Sequence, residues 1–155
     1  MNRKILALAP LIAASSIIKQ NKKLKVTNTT LDFNNLPDSF ENFKIAQVSD
    51  IHCDKVGLSD LAFLSKIKKF APDIIVITGD ILDSYKNDMD VAYNILSQLA
   101  IISPCYFISG NHELRLPKEY AELKNILAKL KITHLHNESI LLNRNQDFIN
   151  LVGVE

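Results

Sequence analysis

From Phe43 onward the apolar residues arrive in short continuous runs that alternate with runs of helical spacing. The short runs are FKIAQVS (43–49), IIVIT (74–78) and CYFIS (105–109). The middle one is a β-branched block, the signature of a strand buried on both faces. Between them, Leu61, Leu64 and Ile67 predict an amphipathic helix that Ser59 can cap and Pro72 stops. Val91, Ile95, Leu99 and Ile102 predict a second helix, ended by Pro104. Pro117 opens a third, with Tyr120, Leu123, Leu127 and Leu130 on its inner face. Beyond it, Ile132–Leu135, Ser139–Leu142 and Phe148–Val152 predict shorter strands separated by polar turns. Buried strands alternating with helices imply parallel pairing through right-handed crossovers, so the fold class is α/β, built of βαβ layers over residues 43–155.

The N-terminal part has a different texture. Residues 5–18, ILALAPLIAASSII, form an apolar run behind Arg3 and Lys4, and Lys19, Lys22, Lys23 and Lys25 follow. As a helix this run would span about 21 Å, short of the roughly 30 Å hydrocarbon core of a bilayer. Its length suits a signal-peptide core, and a basic segment beside an apolar one suits an anionic membrane surface. Residues 1–25 are therefore read as a membrane anchor or signal segment, with a soluble helix as the remaining reading. The expected location is membrane-associated or exported, on a side that positive charge at both ends leaves open. Residues 26–42 are polar and irregular and read as a linker, with Leu31, Phe33 and Leu36 as the apolar positions of an edge strand.

Composition narrows the function classes. Apolar residues at 47% and charged residues at 23% are ordinary for a globular protein and exclude a disordered chain. Eighteen basic against 17 acidic residues give a net charge of +1, so no nucleic-acid binding is expected. Two cysteines, Cys53 and Cys105, make neither a disulfide scaffold nor a thiolate zinc spacing, and read as buried free thiols. No glycine-rich loop leads into a helix, which argues against a nucleotide-binding cradle.

The three strands end alike: Val48-Ser49-Asp50, Ile77-Thr78-Gly79-Asp80 and Ile108-Ser109-Gly110-Asn111. Each apolar run gives way to a small hydroxyl residue and then to Asp or Asn. The spacing, about one βαβ unit in each case, puts the three carboxyl ends on one rim, where open α/β sheets bind ligands. Asp50, Asp80 and Asn111 are thus expected to converge. The bland reading is that they are ordinary turn residues. Two of the four glycines, Gly79 and Gly110, stand at these exits, where the backbone must turn sharply. His52 follows Asp50 by two residues, and His112 follows Asn111 directly. Two carboxylates, an amide oxygen and an imidazole form a mixed oxygen and nitrogen ligand set that suits Mn, Fe or Zn. A carboxylate on the middle strand, Asp80, is placed to bridge two such ions, the arrangement that clamps both oxygens in phosphoryl transfer.

VSDIH, ITGD and SGNHE, in this order and spacing, resemble the first three motifs of the calcineurin-like metallophosphoesterases, most of all their bacterial membrane-associated or exported members. The resemblance covers about residues 43–155. It implies that Asp50 and His52 bind the first of two divalent metal ions, that Asp80 bridges, and that Asn111 binds the second through its amide oxygen. It makes His112 the catalytic residue that protonates the leaving group or steadies the transition-state charge, with Glu113 as its orienting partner. The implied activity is hydrolysis of phosphomonoesters or phosphodiesters by a hydroxide held on the metal pair. The resemblance further implies a histidine after the third motif and a late Gly-His-x-His pair, and neither is present. The remaining histidines, His134 and His136, read as surface or edge-strand residues in a stretch, HLHNESILLNRN, that looks like the family's edge hairpin. The chain therefore reads as the N-terminal part of a longer enzyme. The alternative is a truncated, inactive product that keeps half of each metal site.

Overall fold

The computed structural model describes residues 26–53, 59–85 and 87–155, apart from the side chains of residues 59–61. The expected anchor or signal segment and the expected Ser59 cap lie outside these described residues. The chain divides into the units Met1–Asp32 and Phe33–Glu155. Of the first, residues 26–32 carry no regular secondary structure and are exposed. Among the described residues no helix is long and apolar enough to cross a membrane.

The second unit runs β1 (Ile45–Val48), α1 (Ser59–Phe70), β2 (Ile74–Thr78), α2 (Met89–Ile102), β3 (Cys105–Ile108), α3 (Asn111–Arg115), α4 (Pro117–Lys129), β4 (Thr133–His134), β5 (Ser139–Arg144) and β6 (Asp147–Val152). Strands β1 to β4 form one sheet in that order, every pairing parallel, as the α/β reading expects. The register pairs Val48 with Ile77 and Thr78 with Ile108, so the three carboxyl ends finish level. That alignment is what places the functional residues.

Side chains on β2 alternate between two apolar layers, as a strand's two-residue period requires. Ile75 and Ile77 join Leu96, Leu99, Phe107 and Leu123 in the core under the helices. Ile74 and Val76 face the opposite way and meet Ile140, Leu142, Ile149 and Leu151. Those four belong to the antiparallel hairpin of β5 and β6. Both cysteines are buried, and burial pushes the Cys105 thiol up to about 12, which leaves it protonated and unreactive at neutral pH. Lys66, Lys68 and Lys69 are exposed on α1, a solvated face.

Three local expectations change. The expected edge strand over Leu31, Phe33 and Leu36 does not form, and Leu31 and Phe33 are exposed. A 3-10 turn at Asp38–Phe40 instead folds the fully buried Phe40 into the layer under the hairpin. The stretch from His134 to Asn145 is not one hairpin. His134 pairs in parallel with Phe107 at the sheet edge, Asn137 takes a left-handed φ of 52°, and the hairpin begins only at Ser139. A short helix, α3, begins within the third motif, at Asn111, ahead of the helix that Pro117 opens.

Candidate active site

The strand exits are bent hard. Asp50, His52 and Asp80 take φ of 56°, 44° and 53°, and Gly79 takes 82°. A non-glycine residue in this region costs about 1–2 kcal/mol, so the surroundings must hold it there. They do so by a ladder of main-chain hydrogen bonds past the sheet. His52 N–H donates to Asp80 O (3.0 Å), and Cys53 N–H donates to Ile81 O (2.8 Å). Gly79 and Gly110 allow the two exits to touch. A Cβ on Gly79 would lie 2.3 Å from Gly110 N, and one on Gly110 would lie 2.2 Å from Asp80 Oδ1. Gly110→Ala is therefore expected to cost about 1–3 kcal/mol of stability, read as a lower urea midpoint, and to displace the Asp80 carboxylate.

Glu113 fastens this junction from inside. It is fully buried. One carboxylate oxygen accepts the N–H of Asp80 (2.9 Å) and of Gly110 (2.8 Å), and the other accepts the N–H of Leu82 (2.9 Å). A single side chain thus binds the ends of β2 and β3 together. This corrects the expectation that Glu113 orients His112. Adjacent residues on a helix point about 100° apart, so the side chain that enters the strand junction cannot also reach the neighbouring ring.

The partner of His112 is Ser84, in the loop after β2. Ser84 N–H donates to His112 Nδ1 (3.1 Å), and Ser84 Oγ lies 2.9 Å from the same nitrogen. A backbone N–H can only donate, so Nδ1 of His112 is an acceptor and the ring proton sits on Nε2. His52 is set the other way. Its Nδ1 lies 3.3 Å from the carbonyl of Leu82, which can only accept. The His52 proton is therefore on Nδ1, and Nε2 presents a lone pair. The two rings meet edge-on with centroids 4.8 Å apart. Ser84→Ala removes one of the two groups that orient His112 and leaves the backbone donor in place. The His112 ring is then expected to keep its tautomer on the backbone donor alone, read as an unchanged pattern of its ring-nitrogen shifts in nuclear magnetic resonance.

The structure brings His52, Asp80 and His112 together: one ligand atom of each lies within 4.8 Å of the others. Asp80 Oδ1 also accepts the N–H of His112 (3.1 Å), which orients that carboxylate. Asp50 is exposed at the margin of this group, its Oδ1 3.9 Å from His52 Nε2. Asn111 opens α3 between Gly110 and His112 and is exposed. The residues fit a divalent metal centre on their own geometry. They offer an imidazole with its lone pair free, a carboxylate beside it, and a carbonyl behind the ring that sets the tautomer.

Asp83, in the loop after β2, also approaches this group, its Oδ2 lying 3.6 Å from His52 Nδ1. The Asp83 loop is braced by Asn87, whose Oδ1 accepts Asp83 N–H (2.7 Å) and whose amide donates to Asp83 O (2.8 Å). Asp88 does cap a helix, accepting Val91 N–H at the start of α2. His134 is at the sheet edge as expected, but it and His136 converge on Glu155. Burial opposes ionisation of Glu155. The Ser109 N–H and the two imidazoles outweigh it and hold the carboxyl at about 2.

A model of the calcineurin-like phosphoesterase family matches residues 43–154. The chain belongs to that family. It is 31% identical over 138 residues to a bovine "transmembrane protein with metallophosphoesterase domain", covering 84% of this chain and 31% of that one. It is 27% identical over 157 residues to the uncharacterized metallophosphoesterase YkoQ of Bacillus subtilis, covering 97% and 58%. A UDP-2,3-diacylglucosamine hydrolase of Wigglesworthia glossinidia is 31% identical over 108 residues, covering 61% and 43%. The chain thus spans between about a third and three-fifths of the length of these relatives.

Proposed function

We propose that the strand-end centre hydrolyses phosphoesters, monoesters or diesters, with two divalent metal ions of the Mn, Fe or Zn class. In this reading Asp50 and His52 would hold one ion, Asn111 would hold the other through its amide oxygen, and Asp80 would serve both. When bound, the ions neutralise charge on the phosphoryl oxygens and lower the pKa of a water for attack on phosphorus.

The chain's own residues do the rest. His52, its proton engaged by Leu82 O, offers Nε2 only as a lone pair. His112, its Nδ1 engaged by Ser84, offers Nε2 only as an N–H. That N–H suits the oxygen on which negative charge gathers as the P–O bond breaks: the neutral ring donates a hydrogen bond and keeps its proton, and water supplies the proton that the departing alkoxide takes up. The opposite tautomers of these two adjacent imidazoles are the observation that carries the proposal: one ring is set to ligate, the other to donate. Glu113 holds both supporting strand ends in register. The family match favours this reading over an inactive product.

The test is hydrolysis of bis-p-nitrophenyl phosphate and p-nitrophenyl phosphate by the whole chain after chelation, with and without added Mn²⁺. Turnover that disappears with chelation and returns with Mn²⁺ supports the proposal. Turnover indifferent to chelator refutes it.

Residues 5–18 and their basic flanks support a further part of the same reading, a membrane tether for the domain. Carbonate-washed membranes are expected to retain the full chain and to release one that starts at Val26. Release of both forms would remove the tether.

A further inference from the structure

A second group of ligating side chains stands one strand away from the proposed centre, and the function proposed above does not use it. His134, in β4, and His136, two residues on, are joined by Glu155, which returns to this edge after β6. Gly153 makes the return possible: a Cβ there would lie 2.4 Å from the Leu135 side chain, and its N–H donates to Glu138 O (2.9 Å). The Glu155 side chain is only 3% exposed. Ser109 N–H donates to its Oε1 (2.7 Å), and its own N–H donates to Asn137 Oδ1 (3.1 Å). The carboxylate is thus anchored before any ligand is considered.

Both of its oxygens face imidazole nitrogens. His134 Nε2 lies 2.9 Å from Oε1, and His136 Nδ1 contacts Oε2. One ligand atom from each of the three residues lies within 4.8 Å of the others. The His134 ring is held in place by Phe107 and Tyr120, with centroids 5.4 and 6.0 Å away. His134 Nε2 is flanked by Glu155 Oε1 and by the Tyr120 hydroxyl at 3.1 Å, yet one ring nitrogen serves one directional partner. The buried Ser109 hydroxyl stands beside both Glu155 and Tyr120. A dication at the convergence point would take the nitrogen lone pairs and the carboxylate together, and would free the Tyr120 hydroxyl to donate elsewhere.

We propose that His134, His136 and Glu155 form a second, separate metal site for a zinc-class transition dication. Two imidazoles and one carboxylate are a recognised three-ligand set for such ions, with water completing the coordination. His136 is 69% exposed, which leaves the water side open. The bound ion would clasp β4 to the exit of β6. Through the Ser109 N–H it would also brace the turn that leads into Gly110 and Asn111.

The test uses the whole chain with Co²⁺ as a spectroscopic probe and Zn²⁺ in calorimetry. In a His52→Ala, Asp80→Asn background, one equivalent of Co²⁺ is expected to bind still, with visible d–d absorption of a low-coordinate site. Adding His136→Ala should weaken that binding at least tenfold. Because His136 is exposed, circular dichroism should stay unchanged. Should the double variant fail to fold, His136→Ala alone in the wild-type chain should lower the Zn²⁺ stoichiometry by one. A background protein that binds no Co²⁺ or Zn²⁺ would show a hydrogen-bonded cluster only and overturn the proposal. Binding that survives both His134→Ala and His136→Ala would overturn it equally.

Discussion

Asp80→Asn is expected to abolish metal-dependent phosphoester hydrolysis while leaving the protein folded. The substitution keeps the volume and one oxygen, so the contact from His112 N–H to Oδ1 (3.1 Å) can persist. It removes the negative charge on the middle strand, between His52 and His112, where two cations are proposed to meet. A neutral amide oxygen cannot neutralise two ions, and both would be held weakly. The expected fall in kcat/KM is on the order of 10³-fold, equivalent to about 4 kcal/mol of transition-state stabilisation. Initial rates with bis-p-nitrophenyl phosphate over a Mn²⁺ series read this directly. Rates for Asp80→Asn within threefold of wild type at saturating Mn²⁺ would remove Asp80 from the centre.

Glu113→Ala should act through the fold. Three N–H groups lose their acceptor at once, that of buried Leu82 and those of half-buried Asp80 and Gly110. An unsatisfied buried donor costs about 1–3 kcal/mol and a half-buried one less, so a loss of about 2–4 kcal/mol is expected, a large share of a small domain's stability. Glu113→Gln is expected to be milder but still damaging, because its amide NH₂ must face an N–H where a carboxylate oxygen now accepts. Urea unfolding followed by circular dichroism measures both. If Glu113 merely sat in the first turn of α3, Glu113→Ala would shift the midpoint by only a few tenths of a kcal/mol.

The parts of this architecture that local pattern dictates were legible in the residues. IIVIT gives β2 because a β-branched run of that length has no other buried solution, and the observed strand is the same five residues, Ile74–Thr78. The shared strand-end grammar marked the exits that carry Asp50, Asp80 and Asn111, and the level register of β1, β2 and β3 sets those exits on one rim, where His52, Asp80 and His112 form the close group. What escaped were effects made by distant residues. Helix α3 has five residues, too few for a 3.6-residue period to register. Glu113 looks in sequence like an acid at a helix start. Its role appears only when backbone donors from 31 and 33 residues earlier fold against it. Ser84 and Asp83 carry no local mark that sets them apart from turn residues, yet they flank His112 and His52. The spacing of His134 and His136 was visible. Their convergence on Glu155 was not, because it depends on the β5–β6 hairpin bringing the chain back to the sheet edge.

The central claim is that the junction of Asp50, His52, Asp80 and the Asn111–His112 turn is a divalent metal centre. Its most direct test is nuclear magnetic resonance of the labelled chain titrated with Mn²⁺, whose paramagnetism broadens nearby amides. The amides of Asp50, His52, Asp80, Gly110 and His112 are expected to broaden first, at substoichiometric Mn²⁺, and His52→Ala to delay the effect. Sharp resonances at those five positions in saturating Mn²⁺ would contradict it.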